Sequence, residues 1–260
     1  MIDILKKELI ISDMDGTFFL GNTLLEGSLE FAEKLYSFDK KFVFLTNNSS
    51  KTPAEYAKKL KRLGVPENLF DVFTSGEATI EFLKSNFQDK RIYLLATESV
   101  KEMFINNNII IDDKNPDVLV MTYDKTLNYE KIEKFAFFLK KDLPYIVSHP
   151  DINCPMENDF IPDVGSFMAL FEKSTGRTPD FIIGKPNPHI IFMLLKKFNV
   201  RKEKSVIIGD RIYTDIQCGI NAGIDSILVL SGETTKEMVP EKMEFSVFES
   251  LNEIYNLYFK

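Results

Sequence analysis

Short apolar runs, each closing on a polar or charged residue, alternate along this chain with longer amphipathic stretches. That alternation is the pattern of a parallel sheet whose strands are joined by crossover helices. Strands are predicted at residues 9–12, 42–45, 92–95, 118–121, 145–147, 181–183, 205–208 and 226–230, with helices in most of the gaps. Thr52-Pro53-Ala54-Glu55 is the clearest helix start: Thr52 can accept from a free N–H, Glu55 can reach back, and Pro53 occupies the first helical position. Gly64 is placed to end that helix. Thr214-Asp215-Ile216-Gln217 repeats the capping pattern, and residues 129–141 space Ile132, Phe135, Ala136 and Leu139 on one helical face.

A length of 260 residues allows one large or two modest domains with a self-sufficient core. No Gly, Ser or Pro linker separates two halves, and no repeat is present. An insertion of one domain into another is therefore expected, with residues 1–80 and 181–260 forming the core and residues 81–180 the insert. The chemically distinctive residues fall before about residue 50 and after about residue 184, which agrees with that division. Thirty-two basic against 39 acidic side chains leave a net charge of −7, which offers no long-range attraction to a nucleic-acid polymer or an anionic membrane. The longest apolar run is Ile190 to Leu195, too short for a span, and the N-terminus has no signal-peptide stretch, so a cytoplasmic protein is expected. Two cysteines, Cys154 and Cys218, exclude a disulfide framework and a Cys-rich zinc site.

Four polar segments each follow an apolar run: Asp13-Met14-Asp15-Gly16-Thr17, Thr46-Asn47-Asn48, Gly184-Lys185-Pro186, and Gly209-Asp210 completed by Thr214-Asp215. In an open parallel sheet ligands bind beyond the carboxyl ends of the strands, so the four segments converge on one crevice. Clustered carboxylates repel one another unless a cation neutralises them. An all-oxygen donor set without Cys or paired His favours Mg²⁺, which binds through one or two carboxylates plus substrate phosphate. Lys185 beside such a site is a point charge suited to a phosphate oxygen.

These segments, in this order, resemble the signature of the haloacid dehalogenase superfamily of hydrolases. The Thr46-Asn47-Asn48 and Gly184-Lys185-Pro186 forms, with an insertion of about a hundred residues, are similar to subfamily IIA, the NagD-like and 4-nitrophenyl phosphatase type. Ser148-His149-Pro150-Asp151 and Ser174-Thr175-Gly176-Arg177 extend the similarity through the insertion. The resemblance implies an α/β fold, a doubly wound Rossmann-like parallel-sheet core carrying an inserted α/β cap of the C2 type. It implies an Mg²⁺-dependent phosphatase acting on a small phosphorylated metabolite such as a nucleotide or sugar phosphate, with 4-nitrophenyl phosphate as a generic substrate, and a possible homodimer. Asp13 would be the nucleophile that forms an aspartyl-phosphate, and Asp15 the acid and then the base. Mg²⁺ would be held by Asp13, the Asp15 backbone carbonyl and Asp210, with Asp215 orienting the metal loop. Thr46 and Lys185 would act on the phosphoryl group, with Gly16, Asn47, Asn48, Arg211, Ile212, Tyr213 and Thr214 bordering it. Phosphomonoester hydrolysis needs up to about 10²¹-fold acceleration while one donor supplies about 10²–10³, so the whole cluster is required.

Other readings leave residues unexplained. A calcium loop starting at Asp13 would put Phe18 where Gly belongs and Leu24 where a bidentate Glu belongs. A glycosyltransferase Asp-x-Asp would give Thr46, Lys185 and Asp210 no task. A non-catalytic phosphate- or nucleotide-binding regulator on the same fold has no need of intact Asp13, Asp15, Lys185 and Asp210, and the i+2 acid sets the chain apart from the dehalogenase branch, which lacks it. His189 is expected to be structural, Cys154 and Cys218 inert, and the charged helix at 51–62 a solvated face. His149, Asp151, Asn153 and Gly165-Ser166 are candidate cap contacts.

Overall fold

The apolar runs become the centres of two sheets in the computed structural model, which describes residues 2–155 and 159–260. The chain divides into two compact units. Residues up to Thr46, Ala54–Phe73 and Lys185–Lys260 make the first; Asn47–Pro53 and Thr74–Gly184 make the second.

In the first unit six strands lie in the order Ser246–Phe248, Asp225–Val229, Ser205–Gly209, Leu9–Ser12, Lys41–Thr46, Asp71–Thr74. The pairings from the first of these to the fifth are all parallel, and Leu9 stands between Ser205 and Lys41 in register. Every residue of Leu9–Ser12 and Ser205–Gly209 is buried, as in strands covered on both faces. The strand order reverses between these two, so their carboxyl ends flank the switch point where doubly wound sheets bind ligands. Four phenylalanines build much of one core face: Phe18 meets Phe44 edge-on at 4.7 Å, Phe42 meets Phe44 at 4.8 Å, and Phe31 packs on Phe42. Such pairs add about 0.5–1.5 kcal/mol each beyond burial.

The second unit has its own five-stranded parallel sheet, ordered Phe181–Ile182, Tyr145–Val147, Val118–Met121, Arg91–Leu95, Ile110–Ile111. Helices Tyr129–Leu139 and Val164–Thr175 bury Phe135, Leu139 and Phe171 against Tyr93, Leu119, Met121 and Tyr145. Among the described residues no helix is long and apolar enough to cross a membrane.

The structure differs from the expected division at two places. A cut at residue 80 would split the helix Ser75–Asn86, whose start is fixed by a reciprocal cap between Thr74 and Glu77. Residues 47–53 join the second unit because Asn47 and Ser49 are bonded there, to Asp151 and Ser148. Thr214-Asp215-Ile216-Gln217 does not cap a helix: residues Ile212–Ile216 form a π-turn, the helix Gln217–Ala222 has no side-chain cap, and the Asp215 carboxylate is buried and bonded elsewhere. The helix at 53–62 starts at Pro53, and Gly64 behind it has φ +93°.

Candidate functional site

Asp13 is the first residue beyond Leu9–Ser12, and its N–H continues the ladder to the Ile208 carbonyl at 2.8 Å. The chain then turns over buried Met14, whose carbonyl accepts from Phe18 N–H at 2.9 Å. That turn puts Asp13 and Asp15 in different surroundings. Gly16 has φ +85°, and a Cβ there would lie 2.5 Å from Asp210 Oδ2, so the close approach admits no side chain.

Asp210 follows Ser205–Gly209 and is buried. Thr17 Oγ1 donates to its Oδ1 at 3.2 Å and Glu233 N–H to its Oδ2 at 2.8 Å. Lys185, also buried, sits between two acids: its Nζ is 2.6 Å from Asp13 Oδ1, 2.5 Å from Asp215 Oδ1 and 3.1 Å from the Leu45 carbonyl. Asp215 is held from its other oxygen by Arg211 N–H at 3.2 Å. Oxygens of Asp13, Asp210 and Asp215 lie within 4.8 Å of one another.

Three carboxylates therefore cluster around a site where one ammonium is bonded to two of them. Burial pushes the Asp210 and Asp215 carboxyls upward, and the Asp13 charge adds to it for both; at Asp215 the Lys185 ammonium works against the rise. Burial alone would lower Lys185, but Asp13 and Asp215 outweigh it and the net shift is upward, so the lysine stays charged. An oxygen-only trio with surplus negative charge, two of its members buried and Asp13 partly open, fits a hard divalent cation.

The remaining predicted residues fall in four groups. Thr46 closes the neighbouring strand Lys41–Thr46 and is buried in the first unit. Arg211, Ile212, Tyr213 and Thr214 form the turn beyond Asp210, with Thr214 buried, the Arg211 Nε 2.9 Å from Glu233, and the Tyr213 hydroxyl donating to the same carboxylate. Asn47 and Asn48 belong to the second unit, where the Asn47 amide donates to Asp151 Oδ1 at 2.9 Å and Asn48 Oδ1 accepts from Ser50 Oγ at 2.7 Å. The Asp15 side chain stands outside the carboxylate trio; it is 37% exposed and 3.9 Å from Lys59 Nζ.

Lys59 corrects the solvated-face reading of its helix. It is 16% exposed, and its ammonium lies 3.7 Å from the centre of the Phe19 ring, where desolvation strengthens the attraction. Sequence reasoning also passed over Glu233. It lies beyond the next strand, Asp225–Val229, in a polar stretch with no catalytic signature.

His149 is fully buried in the second unit. Nε2 lies 3.0 Å from Asp163 Oδ1, Nδ1 2.9 Å from Ser148 Oγ, and Ser148 meets Ser49 at 2.8 Å. His149, Asp151 and Asp163 have ligand-like spacing, but hydrogen bonds within the unit occupy them: Asp163 also takes Val164 N–H at 2.7 Å, and Asp151 takes Asn47. Gly165 and Ser166 are likewise engaged, bonding the carbonyls of Asp151 and Ile152 at 2.7 Å each. Asn153 is exposed at the edge of a short hairpin. His189 bonds Asn187 at 2.8 Å, a local helix-start contact. Neither Cys154 nor Cys218 is in a disulfide, and burial pushes Cys218 up to about 12.

A profile of haloacid dehalogenase-like hydrolases matches residues 10–110, and a second, described as HAD-hydrolase-like, matches residues 182–254. A 4-nitrophenylphosphatase from Thermotoga maritima has the same fold over 99% of this chain and 100% of its own, with a TM-score of 0.93 and 48% identity. An acid sugar phosphatase of Staphylococcus haemolyticus is 33% identical over 88% of both chains. A 5'-nucleotidase of Bacillus subtilis is 32% identical over 89% of this chain and 90% of its own.

Proposed function

The chain belongs to the haloacid dehalogenase-like hydrolases and is a phosphatase, and from that premise we propose how its residues divide the work. The observation that carries the reading is the Asp13 carboxylate held 2.6 Å from the buried Lys185 ammonium, at the end of a central parallel strand and within 4.8 Å of Asp210 and Asp215. A nucleophilic carboxylate needs its repulsion from an incoming phosphate offset, and this arrangement supplies that in place.

Asp13 attacks phosphorus and the bond to the leaving oxygen breaks, giving an aspartyl-phosphate. Asp15 donates its proton to the leaving oxygen, then takes one from the water that attacks the same phosphorus. Inorganic phosphate departs and Asp13 is a free carboxylate again. Lys185 and Thr46 hold the transferring group, with Gly16 and the Arg211 to Thr214 turn bordering it. Asp13, the Asp15 carbonyl and Asp210 would hold Mg²⁺, with Asp215 fixing the loop. Bound there, the cation supplies charge neutralisation for the phosphoryl oxygens and the acids.

The substrate is a small phosphomonoester. Relatives named for sugar phosphates, 5'-nucleotides and 4-nitrophenyl phosphate support a common phosphoryl site with variable choice of leaving group. Release of phosphate from 4-nitrophenyl phosphate tests the core of the proposal. Asp13→Asn, or EDTA with the natural chain, should take the rate to background; turnover by the Asn variant would overturn the covalent route.

A further inference from the structure

The main chain of Ser231-Gly232-Glu233-Thr234, just beyond the strand Asp225–Val229, closes around Asp210. Glu233 N–H donates to Asp210 Oδ2 at 2.8 Å, Thr234 N–H to the Asp210 carbonyl at 3.2 Å, and Ser231 Oγ to the Gly16 carbonyl at 2.8 Å. A Cβ on Gly232 would lie 2.0 Å from Asp210 Oδ2, so the strap touches the carboxylate directly.

Four short polar residues have little apolar surface of their own to hold such a path. Beyond those bonds, the Glu233 side chain is held in turn. Arg211 Nε lies 2.9 Å from Glu233 Oε2, the Tyr213 hydroxyl donates to Oε1, and Arg211 N–H reaches Asp215 Oδ2. The contacts run as a closed chain from Asp210 through Glu233 and Arg211 to Asp215, linking two members of the acidic trio without using Asp13. Glu233 is 41% exposed, so the ion pair with Arg211 contributes little to global stability.

We propose that Glu233 is a positioning residue for the cation site, its side chain locked by Arg211 and Tyr213 so that its backbone N–H presents Asp210 in a ligating orientation. The proposal rests on the assignment of Asp13 and Asp210 as cation ligands. Partners one contact beyond a ligand commonly change metal affinity by about 10–100-fold when removed.

Mn²⁺, which shares the oxygen preference of Mg²⁺ and is visible by electron paramagnetic resonance, is the probe. Purified full-length protein is titrated with Mn²⁺ as the natural chain, Glu233→Ala and Glu233→Gln, and the melting temperature of each is taken in EDTA. The expected result is that Ala weakens Mn²⁺ binding by about tenfold or more with the EDTA melting temperature unchanged, while Gln, whose single carbonyl oxygen keeps one of the two acceptors that Arg211 and Tyr213 use, falls between. Natural affinity in the Ala variant overturns the proposal. So does a loss of affinity matched by a lower melting temperature in EDTA, which marks a general structural role. If the natural chain itself fails to bind Mn²⁺, the cation-site assignment falls, and this proposal with it.

Discussion

Asp13 and Asp15, two residues apart, meet different partners: one a buried ammonium at 2.6 Å, the other Lys59 at 3.9 Å on a partly open side. Pairs of acids held in unlike environments can take unlike tasks. Loss of Asp15 should then separate the two halves of turnover. 4-Nitrophenolate leaves without needing a proton, whereas the attacking water still needs a base, worth about 10²–10⁴-fold. Asp15→Asn should release close to one equivalent of nitrophenol per enzyme in a burst and then turn over slowly; rapid-mixing absorbance reads it, and a linear time course would count against the assignment. The same residues explain what the sequence discloses. Asp13, Thr46, Lys185 and Asp210 are legible because each lies at or just beyond the end of an apolar run. Lys59 is not, since helical spacing cannot tell which lysine among Lys58, Lys59 and Lys61 lies over the Phe19 ring. Glu233 reaches Asp210 through a main-chain N–H, a contact every residue type but proline can make, so no side-chain pattern marks it.

Elements were readable in proportion to how completely they are buried. Leu9–Ser12, Val118–Met121 and Tyr145–Val147 run where the apolar pattern puts them, and all are buried along their length. Asp71–Thr74 and Ser246–Phe248 escape the same reading because they are sheet edges with half-open faces, which shortens the apolar run below a recognisable length. The hairpin Phe19–Leu20 with Thr23–Leu24 did carry a signal, Gly21-Asn22 between two short runs, with Gly21 at φ +59°. Helix starts behave alike. Asn128 accepts from Lys131 N–H at 3.0 Å and caps Tyr129–Leu139 from an exposed position. Asn128→Ala should cost about 0.5–2 kcal/mol of unfolding free energy while phosphate release stays at the natural rate. Urea titration beside an activity assay measures both. No change in the denaturation midpoint would mean that the cap is redundant with the packing of Phe135 and Leu139.

At the scale of the molecule, the net charge of −7 is unevenly consequential, because Asp210 and Asp215 are buried together while most of the acids are solvated. A carboxyl whose pKa is raised in the folded state holds its proton more tightly there than in the unfolded chain. Folding is then favoured at low pH, and the advantage is lost as pH rises from the ordinary carboxylate range through the raised value. For Asp210 and Asp215, both shifted upward by burial, that loss runs from about pH 4 to neutrality when no cation is bound. Surface acids act in the opposite sense and at lower pH: hydrogen bonds from Arg91 hold Asp117 below its ordinary value, and its contribution disappears only in stronger acid. In EDTA the melting temperature should accordingly fall as pH is raised from 5 to 7. Saturating Mg²⁺ stabilises the charged carboxylates it binds, with about 2.7 kcal/mol at 100 times Kd, and should flatten or reverse the trend. Amide exchange locates the effect: added protection is expected at residues 10–17, 206–216 and 231–234, all in the first unit, and not around His149, whose bonds to Ser148 and Asp163 are complete without a cation. Equal pH slopes with EDTA and with Mg²⁺ would remove Asp210 and Asp215 as the origin of the effect. Protection spread evenly over both units would place the cation's influence on the whole chain rather than on the strand ends that carry the chemistry.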